Sequence, residues 1–299
     1  MSSTLAVDLG GTHLRCATVA PDGQVTNRTE RSTPHDGSGI APLLELMKAV
    51  GNMTPCTGAV VGVPGRVDYR SGRLEHAPNL SSDWIKGLDE ETLGAAVGMP
   101  VALANDADLA AVGEAYAGAG RDHSDVAYLT ISTGIGAGVV LGGVLVHGRR
   151  SLAEVGHTVI DLTRYRAGQP ATLEELASGT AFAHEASLAG LRPYGRDVLE
   201  SAAAGNADAR RIWDAVVSGA AVGVVNLVWT FTPEIVVIGG GLGLIGQPLL
   251  DPLREAVERQ GPPALNPPCM ITNAELGDDA GLAGAAWWSQ AFSPEHAGR

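Results

Sequence analysis

The chain has 299 residues, of which 45% are hydrophobic and 18% charged, and its formal net charge is −13. This is the composition of a globular chain long enough for two ordinary domains, and it excludes a disordered one. The excess of acid, without any run of Lys or Arg, argues against nucleic-acid binding.

The cysteines and the N-terminus predict the compartment. Cys16, Cys56 and Cys269 are an odd, scattered set that does not suit a disulfide framework, so we expect a reducing environment. The N-terminus lacks the basic flank and long apolar core of a signal peptide, and we expect no segment apolar over the length of a membrane span. The protein is therefore expected to be cytoplasmic, with no membrane partner.

The first third of the chain alternates apolar runs with turns. In chain order, we predict strands at residues 4–8, 14–20, 24–31, 58–65 and 99–105, and helices at residues 41–50, 88–98 and 106–120. Asp106 and Asp108 fall in the first turn of the last helix, where the helix dipole favours negative charge.

A similar layout returns in the second part. Residues 125–148 are expected to form strand, glycine turn, strand, Gly-Gly turn and strand, with "STGIGAG" standing where "DLGGTHL" stands near the N-terminus. Helices are then predicted at residues 173–190, 206–231, 248–261 and 280–292, and strands at residues 233–243 and 269–276. Two similar halves of alternating strands and helices predict an α/β fold of two lobes with a cleft between them.

The two glycine turns are candidate phosphate loops. Glycine lets backbone N–H groups approach a phosphate and adopts the positive φ angles that such loops need. The first turn adds the hydroxyl of Thr12 and the carboxylate of Asp8, which suits Mg²⁺ directly or through water. A plain structural turn is the alternative for either one alone, but two turns at matching places favour phosphate binding. The candidate residues are Asp8, Gly10, Gly11 and Thr12, then Ser132, Thr133, Gly134 and Gly136, with Gly138 following.

Two common nucleotide motifs give weaker signals. No G-x-x-x-x-G-K-[ST] sequence occurs, which excludes a P-loop enzyme. A G-x-G-x-x-G pattern at Gly241, Gly243 and Gly246 follows the strand "EIVVI", but we predict no complete βαβ unit with a ribose-binding acid after it. A glycine-rich loop against the flat face of an adenine explains the pattern as well.

A strand gives way to a helix at Asn105 and Asp106. Both residue types are good helix N-caps, which is the structural explanation. The functional one is a catalytic base, because a sugar hydroxyl is a poor nucleophile and a kinase places an aspartate to accept its proton. Capping needs only one of the two residues, so we favour the base.

Several polar side chains are candidates for holding a sugar, because carboxylates, amides and imidazoles can bond several hydroxyls of one ring. They are Glu154, His157, Glu174, Glu175 and Asn79, with Trp84 as an aromatic contact. A solvated helix face is the alternative for Glu174 and Glu175, and a loop around a buried Trp is the alternative for Trp84.

Taken together, these motifs resemble the ROK family of sugar kinases over nearly the whole chain. The matching segments, in order, are "AVDLGGTHLR", "VGVPGRVD", "APNL" with Trp84, "ALANDADLAA", "STGIGAGVV", "AEVGHT", "LEELASG" and "VVIGGG". The resemblance implies an actin-like ATPase (ribonuclease H-like) fold, with two α/β lobes and ATP in the central cleft. The lobes would be residues 1–105 and 106–278, with a closing helix at about 279–291 packing back on the first.

The resemblance also implies roles for the site residues. Asp106 would be the general base, and Mg²⁺ would accompany ATP at Asp8. The sugar would be held by Asn79, Asn105, Asp106, Glu154, His157 and Glu174. Phosphates would lie on Asp8, Gly10, Gly11 and Thr12 and on Ser132, Thr133, Gly134 and Gly136, and the adenosine near Gly239, Gly240 and Gly241.

The chain departs from the family pattern at the zinc motif. The family usually carries a cysteine-rich zinc site between "GH" and "E-x-L-A-S-G", and here residues 156–179 contain no cysteine. His157 would lack thiolate partners, so a tetrahedral Cys₃His site cannot form and we expect no zinc. Arg164, Tyr165, Arg166 and the region of Pro170 are expected to support the loop instead.

The implied activity is ATP-dependent phosphorylation of a hexose at its 6-hydroxyl, with glucose first. N-acetylmannosamine, or another acetamido-hexose, is the alternative, because "STG" also resembles that branch. Polyphosphate as donor stays open, and a homodimer is usual in the family. A sugar-responsive regulator would carry an N-terminal helix-turn-helix module, whereas the first phosphate loop begins by residue 8. A sugar-binding protein without catalysis is a third possibility, against which Asp8 and Asp106 argue.

Overall fold

The computed structural model describes residues 2–152, 154–263, 265 and 268–292. The chain forms two compact units. One consists of Met1–Ser124, Gly138–Leu152 and Asp278–Arg299, and the other of Asp125–Ala137 and Ala153–Gly277. The lobe limits expected from the sequence, and the cleft between the lobes, stay predictions.

The first unit is built on a five-stranded mixed sheet. Its strands are β1 (Ser3–Leu9), β2 (His13–Val19), β3 (Val25–Ser32), β4 (Cys56–Val63) and, later in the chain, Val101–Asn105. A short hairpin of β5 (Arg66–Asp68) and β6 (Arg73–His76) was not predicted. It precedes Val101–Asn105 in the chain, and that last strand is therefore named β7. The sheet order is β3-β2-β1-β4-β7, in which β1 to β3 are antiparallel and β1, β4 and β7 are parallel.

Helices cover this sheet because their apolar faces match its buried strands. They are α1 (Ala41–Gly51), α2 (Ser82–Ile85), α3 (Glu90–Val97) and α4 (Asp106–Tyr116). Leu5, Val7 and Leu9 of β1 are fully buried, and Leu43 of α1 is buried in the same core. The sheet strands and helices α1, α3 and α4 lie close to the positions that periodicity predicted, whereas the short helix α2 was not predicted.

The C-terminal segment joins the first unit by a close helix crossing. It forms two helices, α11 (Ala280–Gly284) and α12 (Trp288–Ala291), instead of the single helix predicted at residues 280–292. Helices α5 to α10 lie in the other unit and are described below. A side chain at Gly113 of α4 would clash with the Ala280 carbonyl, and one at Gly284 would clash with the Leu109 carbonyl. Because both positions are glycine, the two helix backbones can come into contact, and α11 also packs against β1 and β2.

The second sheet repeats the strand order of the first. Its strands are β8 (Val126–Ile131), β9 (Ile135–Leu141), β10 (Val144–Leu145), β11 (Ile235–Gly239) and β12 (Met270–Asn273). Their order is β10-β9-β8-β11-β12, with β11 parallel to both β8 and β12. The duplicated layout that the sequence indicated is therefore a duplicated topology.

The helices of the second unit differ from the prediction by two additional short helices and by one break. They are α5 (Leu162–Arg166), α6 (Leu173–Ala177), α7 (Gly179–Leu188), α8 (Gly195–Ala203), α9 (Ala207–Phe231) and α10 (Gln247–Gln260), of which α5 and α8 were not predicted. The helix expected at residues 173–190 is interrupted at Ser178, which has extended backbone and caps α7 through Ala181 N. Gly179 N donates to Ser132 O at 2.7 Å. The backbone at the break therefore bonds the second glycine loop instead of continuing helix α6.

One helix contradicts the expectation that no segment is apolar enough for a membrane span. Helix α9 is 25 residues long, with a mean hydropathy of 1.6 over its most apolar window. However, 56% of that window is buried inside the protein. Gly219 and Gly223 face Ala177 and Leu173 of α6, so the apolar character of this helix serves contacts within its own unit.

An ion pair joins the buried Asp68 carboxylate at the end of β5 to the half-exposed Arg149. Arg149 Nε donates to Asp68 Oδ2 at 2.9 Å, and the Asp68 side chain is only 5% exposed. The Arg149 guanidinium, through its hydrogen bond, lowers the pKa of Asp68 to about 2. Because this pKa lies below that of the unfolded chain, the pair contributes stability that is complete above about pH 4 and is lost as the pH falls through 2.

Arg149→Met is therefore expected to lower the midpoint urea concentration above pH 4, with the gap to the wild type closing as the pH approaches 2. Urea unfolding of both proteins at a series of pH values measures this. Arg150→Met, which removes the neighbouring arginine paired with Glu75 at the surface, is the control for loss of a cation. A gap of constant size at every pH would contradict the assignment.

Candidate active site

The first glycine turn is a tight hairpin whose carbonyl groups are held from outside. Gly10 N donates to His13 O at 2.8 Å, which closes the turn between β1 and β2. Thr33 Oγ1 donates to Gly10 O at 2.7 Å, and His35 Nε2 lies 2.8 Å from Gly11 O. The turn is thus both a hairpin and a rigid loop. Thr33 and His35 were missed because nothing in their local sequence marks a contact with residues 10 and 11.

Asp8 precedes this turn at the end of β1, with Arg15 opposite it on β2. Arg15 Nη1 donates to Asp8 Oδ2 at 3.0 Å. Burial raises the pKa of Asp8, and the neighbouring Arg15 cation opposes that rise. Asp8 therefore lies beside the glycine loop with its negative charge partly neutralised by Arg15.

The strand-to-helix junction separates the roles of Asn105 and Asp106. Asn105 is the N-cap of α4: its Oδ1 accepts from Ala107 N at 3.0 Å and from Asp108 N at 3.1 Å. Its Nδ2 donates to Gly65 O at 2.9 Å, and the residue is only 7% exposed. Asp106 is the first residue of the helix and is partly exposed. Asp106 Oδ1 also accepts from Ala107 N at 2.9 Å, but only Asn105 has the extended backbone of an N-cap and reaches Asp108 N as well.

The strand register brings these groups to one edge of the first sheet. Asp8 pairs with Gly62 of β4, and Val63 of β4 pairs with Asn105 of β7. These are the carboxyl ends of three adjacent parallel strands, where open α/β sheets bind ligands. Asn79 is exposed and packs against Gly11, where an added Cβ would lie 3.1 Å from Asn79 Cβ.

In the second unit, Glu174 supports the second glycine loop. Its Oε2 accepts from Ile135 N at 2.8 Å and occupies the space that a side chain at Gly134 would need. Ser132 N bonds Gly134 O at 2.9 Å within the loop, and Thr180 Oγ1 donates to Thr133 O at 2.7 Å. The loop of Ser132, Thr133, Gly134 and Gly136 is thus fixed by the segment "LEELASGT". Gly138, in the first unit, packs instead against Ala111 of α4.

Glu154 precedes a single 3₁₀ turn, Val155–His157, and His157 is the last residue of that turn. Their side chains approach to 3.8 Å between Oε2 and Nε2, and the His157 ring is 66% exposed. A side chain at Gly156 would clash with Ile135 O, so glycine is required for this turn to lie against the start of β9. The structure therefore brings together Glu154, His157 and, through Ile135, the loop that Glu174 holds.

The three glycines at the end of β11 and just after it differ in what requires a glycine at each position. Gly239 leaves room for the Tyr128 ring, Gly240 has a φ of +81°, and Gly241 has no atom within 4 Å of an added Cβ. The predicted strand, helix and strand β11, α10 and β12 form a parallel βαβ unit, and β12 ends in Asn273 rather than in an acid. Asn273 at the end of β12 donates to Gly243 O at 2.7 Å and so ties the loop from that side.

Two sugar-site candidates have structural roles instead. Trp84 is 1% exposed and its Nε1 donates to Pro34 O at 3.0 Å, so the buried-Trp alternative holds. Glu175 forms a capping box with Thr172 at the start of α6, which accounts for its carboxylate.

The segment that stands in place of the zinc motif is held by hydrogen bonds. Ile160 N donates to Ala171 O at 2.9 Å, and Leu173 N to Thr158 O at 2.9 Å. Arg164 Nε donates to Pro170 O at 2.8 Å, as expected, whereas Tyr165 is 62% exposed and lies mostly in solvent. Among the described residues, no group of three or more His, Cys, Asp or Glu could hold a metal ion.

We expect chelator treatment to leave activity and melting temperature unchanged once Mg²⁺ is restored, because hydrogen bonds hold this segment. Elemental analysis of the purified protein, with assays before and after chelation, checks this. His157→Ala is the companion variant: it should raise the sugar KM with little change in melting temperature, since no folding metal is lost with it. Stoichiometric zinc whose removal abolishes activity would contradict the prediction.

Comparison with known proteins decides the family. The model of the ROK family matches residues 4–291. The chain belongs to the ROK family. A glucokinase from Thermotoga maritima is 33% identical, over 94% of this chain and 95% of the relative. This confirms the resemblance inferred from the motifs.

Solved ROK structures share the fold. A ROK family glucokinase from Streptomyces griseus, in complex with glucose and AMPPNP, has a TM-score of 0.77 and 27% identity, over 95% of this chain and 98% of the other. A Listeria monocytogenes protein, described as a candidate N-acetylmannosamine kinase, has a TM-score of 0.80 and 29% identity, over 95% and 97%. The predicted actin-like ATPase fold is confirmed, and the ROK relatives support a hexokinase-type sugar kinase.

Proposed function

We propose that this ROK protein transfers the γ-phosphoryl group of ATP to the 6-hydroxyl of a hexose, with glucose as the preferred substrate. The observation that carries the proposal is the division of roles at the β7–α4 junction. Asn105 is the extended N-cap residue of α4, and Asp106, the first helical residue, presents a partly exposed carboxylate at the sheet edge that also holds Asp8 of β1. The glucokinases of Thermotoga maritima and Streptomyces griseus support the choice of glucose.

In this proposal Asp106 is the general base. Its carboxylate accepts the proton of the sugar 6-hydroxyl as that oxygen attacks the γ-phosphorus. A new O–P bond forms, the bond from the γ-phosphorus to the β,γ-bridging oxygen breaks, and ADP leaves with the electron pair. Asn105 fixes the start of α4 and hence the position of the base.

The residues of the first loop fit a magnesium nucleotide. Mg²⁺ prefers carboxylate oxygens and water, and Asp8 offers Oδ1 while its Oδ2 accepts from Arg15. Bound with ATP, the ion would neutralise charge on the phosphate oxygens. Gly10, Gly11 and Thr12 are proposed as phosphate contacts, because Thr33 and His35 hold the carbonyl groups of the loop.

The second unit supplies the remaining proposed contacts. Ser132, Thr133, Gly134 and Gly136 would contact phosphate, and Gly239, Gly240 and Gly241 the adenosine. Glu154, His157 and Glu174 would bond sugar hydroxyls together with Asn79, Asn105 and Asp106. Glu174 already accepts from Ile135 N through Oε2, so only its Oε1 is open to a sugar in this arrangement.

N-acetylmannosamine, or another acetamido-hexose, is the second candidate substrate. The similarity to the Listeria monocytogenes protein favours it. We further infer a cytoplasmic homodimer that binds neither nucleic acid nor membrane. These inferences rest on the family resemblance and on the acidic composition.

A coupled assay with a sugar panel tests the proposal. ADP release is measured with glucose, mannose, N-acetylmannosamine and N-acetylglucosamine, each with ATP and with polyphosphate as donor. Glucose with ATP should give the highest kcat/KM, and the product should carry phosphate at O6. A higher kcat/KM for an acetamido-hexose would select the second candidate, and absence of turnover with every sugar would leave a binding or regulatory protein.

A further inference from the structure

A buried carboxylate lies close to the proposed base in the same helix. Asp108 is fully buried, two residues after Asp106 in the first turn of α4. Tyr69 Oη donates to its Oδ2 at 2.6 Å, and Ser151 Oγ donates to its Oδ1 at 3.0 Å. All of these residues belong to the first unit. Burying a charge costs stability unless hydrogen bonds satisfy it, and here the hydroxyls of Tyr69 and Ser151 do so. We therefore ask what these hydrogen bonds hold in place.

The network reaches the backbone next to Asp106 through Tyr69. The oxygen of Tyr69 accepts a hydrogen bond from Asn105 N at 3.2 Å, and the same hydroxyl donates a hydrogen bond to Asp108. Burial, with the Asp108 carboxylate beside it, raises the pKa of Tyr69 well above its usual value. The hydroxyl therefore stays protonated and keeps one orientation, donating to Asp108 and accepting from Asn105.

Aromatic neighbours pack against the Tyr69 ring. Phe292 lies edge-on at 5.1 Å between ring centroids, and His147 edge-on at 5.5 Å on the same ring. Tyr69 N also donates to Arg149 O at 2.9 Å. The position of the hydroxyl is thus determined by the packing of its ring and by its hydrogen bond to Asp108.

Asn105 is consequently held at three points. Its N–H bonds Tyr69, its Oδ1 accepts the cap bonds from Ala107 and Asp108, and its Nδ2 bonds Gly65 O. The carbonyl of Asn105 forms the peptide bond with Asp106. Any rotation of that peptide would swing the Asp106 carboxylate away from its target, and small displacements of reacting groups cost rate steeply.

We propose that Tyr69 is a positioning residue for the phosphoryl transfer: its hydroxyl, oriented by Asp108, fixes the Asn105 backbone and so aims the Asp106 carboxylate at the sugar hydroxyl. The proposal rests on the function proposed above, in which Asp106 is the base. Tyr69 itself needs no contact with sugar or nucleotide for this role.

Tyr69→Phe tests it, because the substitution removes only the hydroxyl. We expect kcat to fall roughly tenfold, with the sugar KM within about twofold and the melting temperature close to that of the control. The control is Tyr116→Phe, which removes a hydroxyl that donates to Gly143 O at 2.6 Å at the other end of α4. Tyr116 is outside the proposed machinery, so its variant should keep the wild-type kcat.

The same substitution in an Asp106→Asn background separates positioning from general stability. With the base removed there is nothing left to aim, so Tyr69→Phe should cause no further fall in the residual kcat, measured at high enzyme concentration. The same fold loss in both backgrounds, or a Tyr69→Phe kcat equal to that of the control, would overturn the inference. Near-normal turnover of Asp106→Asn alone would instead overturn the base assignment, and the inference with it.

Discussion

Asp106→Asn is expected to lower kcat by roughly 10²–10⁴ while the sugar Kd stays within several-fold of the wild type. The amide has the shape of the carboxylate and can still bond a sugar hydroxyl, but it cannot take the proton at neutral pH. Because Asn105 provides the cap through Ala107 N and Asp108 N, the helix start should survive the change.

Steady-state kinetics, sugar binding by calorimetry and the melting temperature together check this result. Asp208→Asn is the matched control, since Asp208 also lies in the first turn of a helix, α9, and is exposed. A variant at Asp106 with normal turnover and a lowered melting temperature would make the carboxylate a helix-terminal charge without a catalytic role.

Asp8→Asn is expected to lower kcat/KM for Mg–ATP by about 10–100-fold and to raise the Mg²⁺ concentration needed for half-maximal rate. The carboxylate charge attracts the metal, whereas an amide of the same size does not. Sugar binding without nucleotide should change by less than about threefold, because Asp8 is not among the proposed sugar contacts.

Loss of Asp8 also removes a partner of Arg15, and a control must separate that effect. Asp278→Asn removes another carboxylate of the same arginine, 3.5 Å from Nη2 and largely exposed. This variant should keep the wild-type Mg²⁺ dependence, since exposed ion pairs contribute little. Equal losses in the two variants would assign the effect to Arg15 rather than to the metal, and equal losses of sugar and nucleotide binding by Asp8→Asn would argue against separate sites.

The candidate base could be found from sequence, but which of the two residues is the N-cap could not. Asn and Asp are both good caps, and their order in "ND" does not say which one bonds the helix amides. The answer depends on backbone angles: Asn105 is extended, with ψ of 140°, and Asp106 is already helical. Tyr69, 36 residues away from Asn105 along the chain, is invisible to any local pattern.

Glu174 shows the same limit from the other direction. Its carboxylate and the family resemblance suggested a ligand to sugar, while a solvated helix face was the local alternative. The structure places its Oε2 on Ile135 N, 39 residues earlier, so the carboxylate also braces the loop. A similar long-range contact explains the break at Ser178, where the backbone of Gly179 meets Ser132.

The sequence by itself determined most of the longer elements, the duplicated order of strands and the motifs, because these depend on hydrophobic period and on turn chemistry between near neighbours. Tertiary structure alone decided which polar groups are already engaged: the cap at Asn105, the burial of Trp84, the pairing of Asp8 with Arg15 and the network behind Asp106. The physical reason is that a hydrogen bond or a buried charge is settled by groups distant in sequence that the fold brings within 3 Å or so.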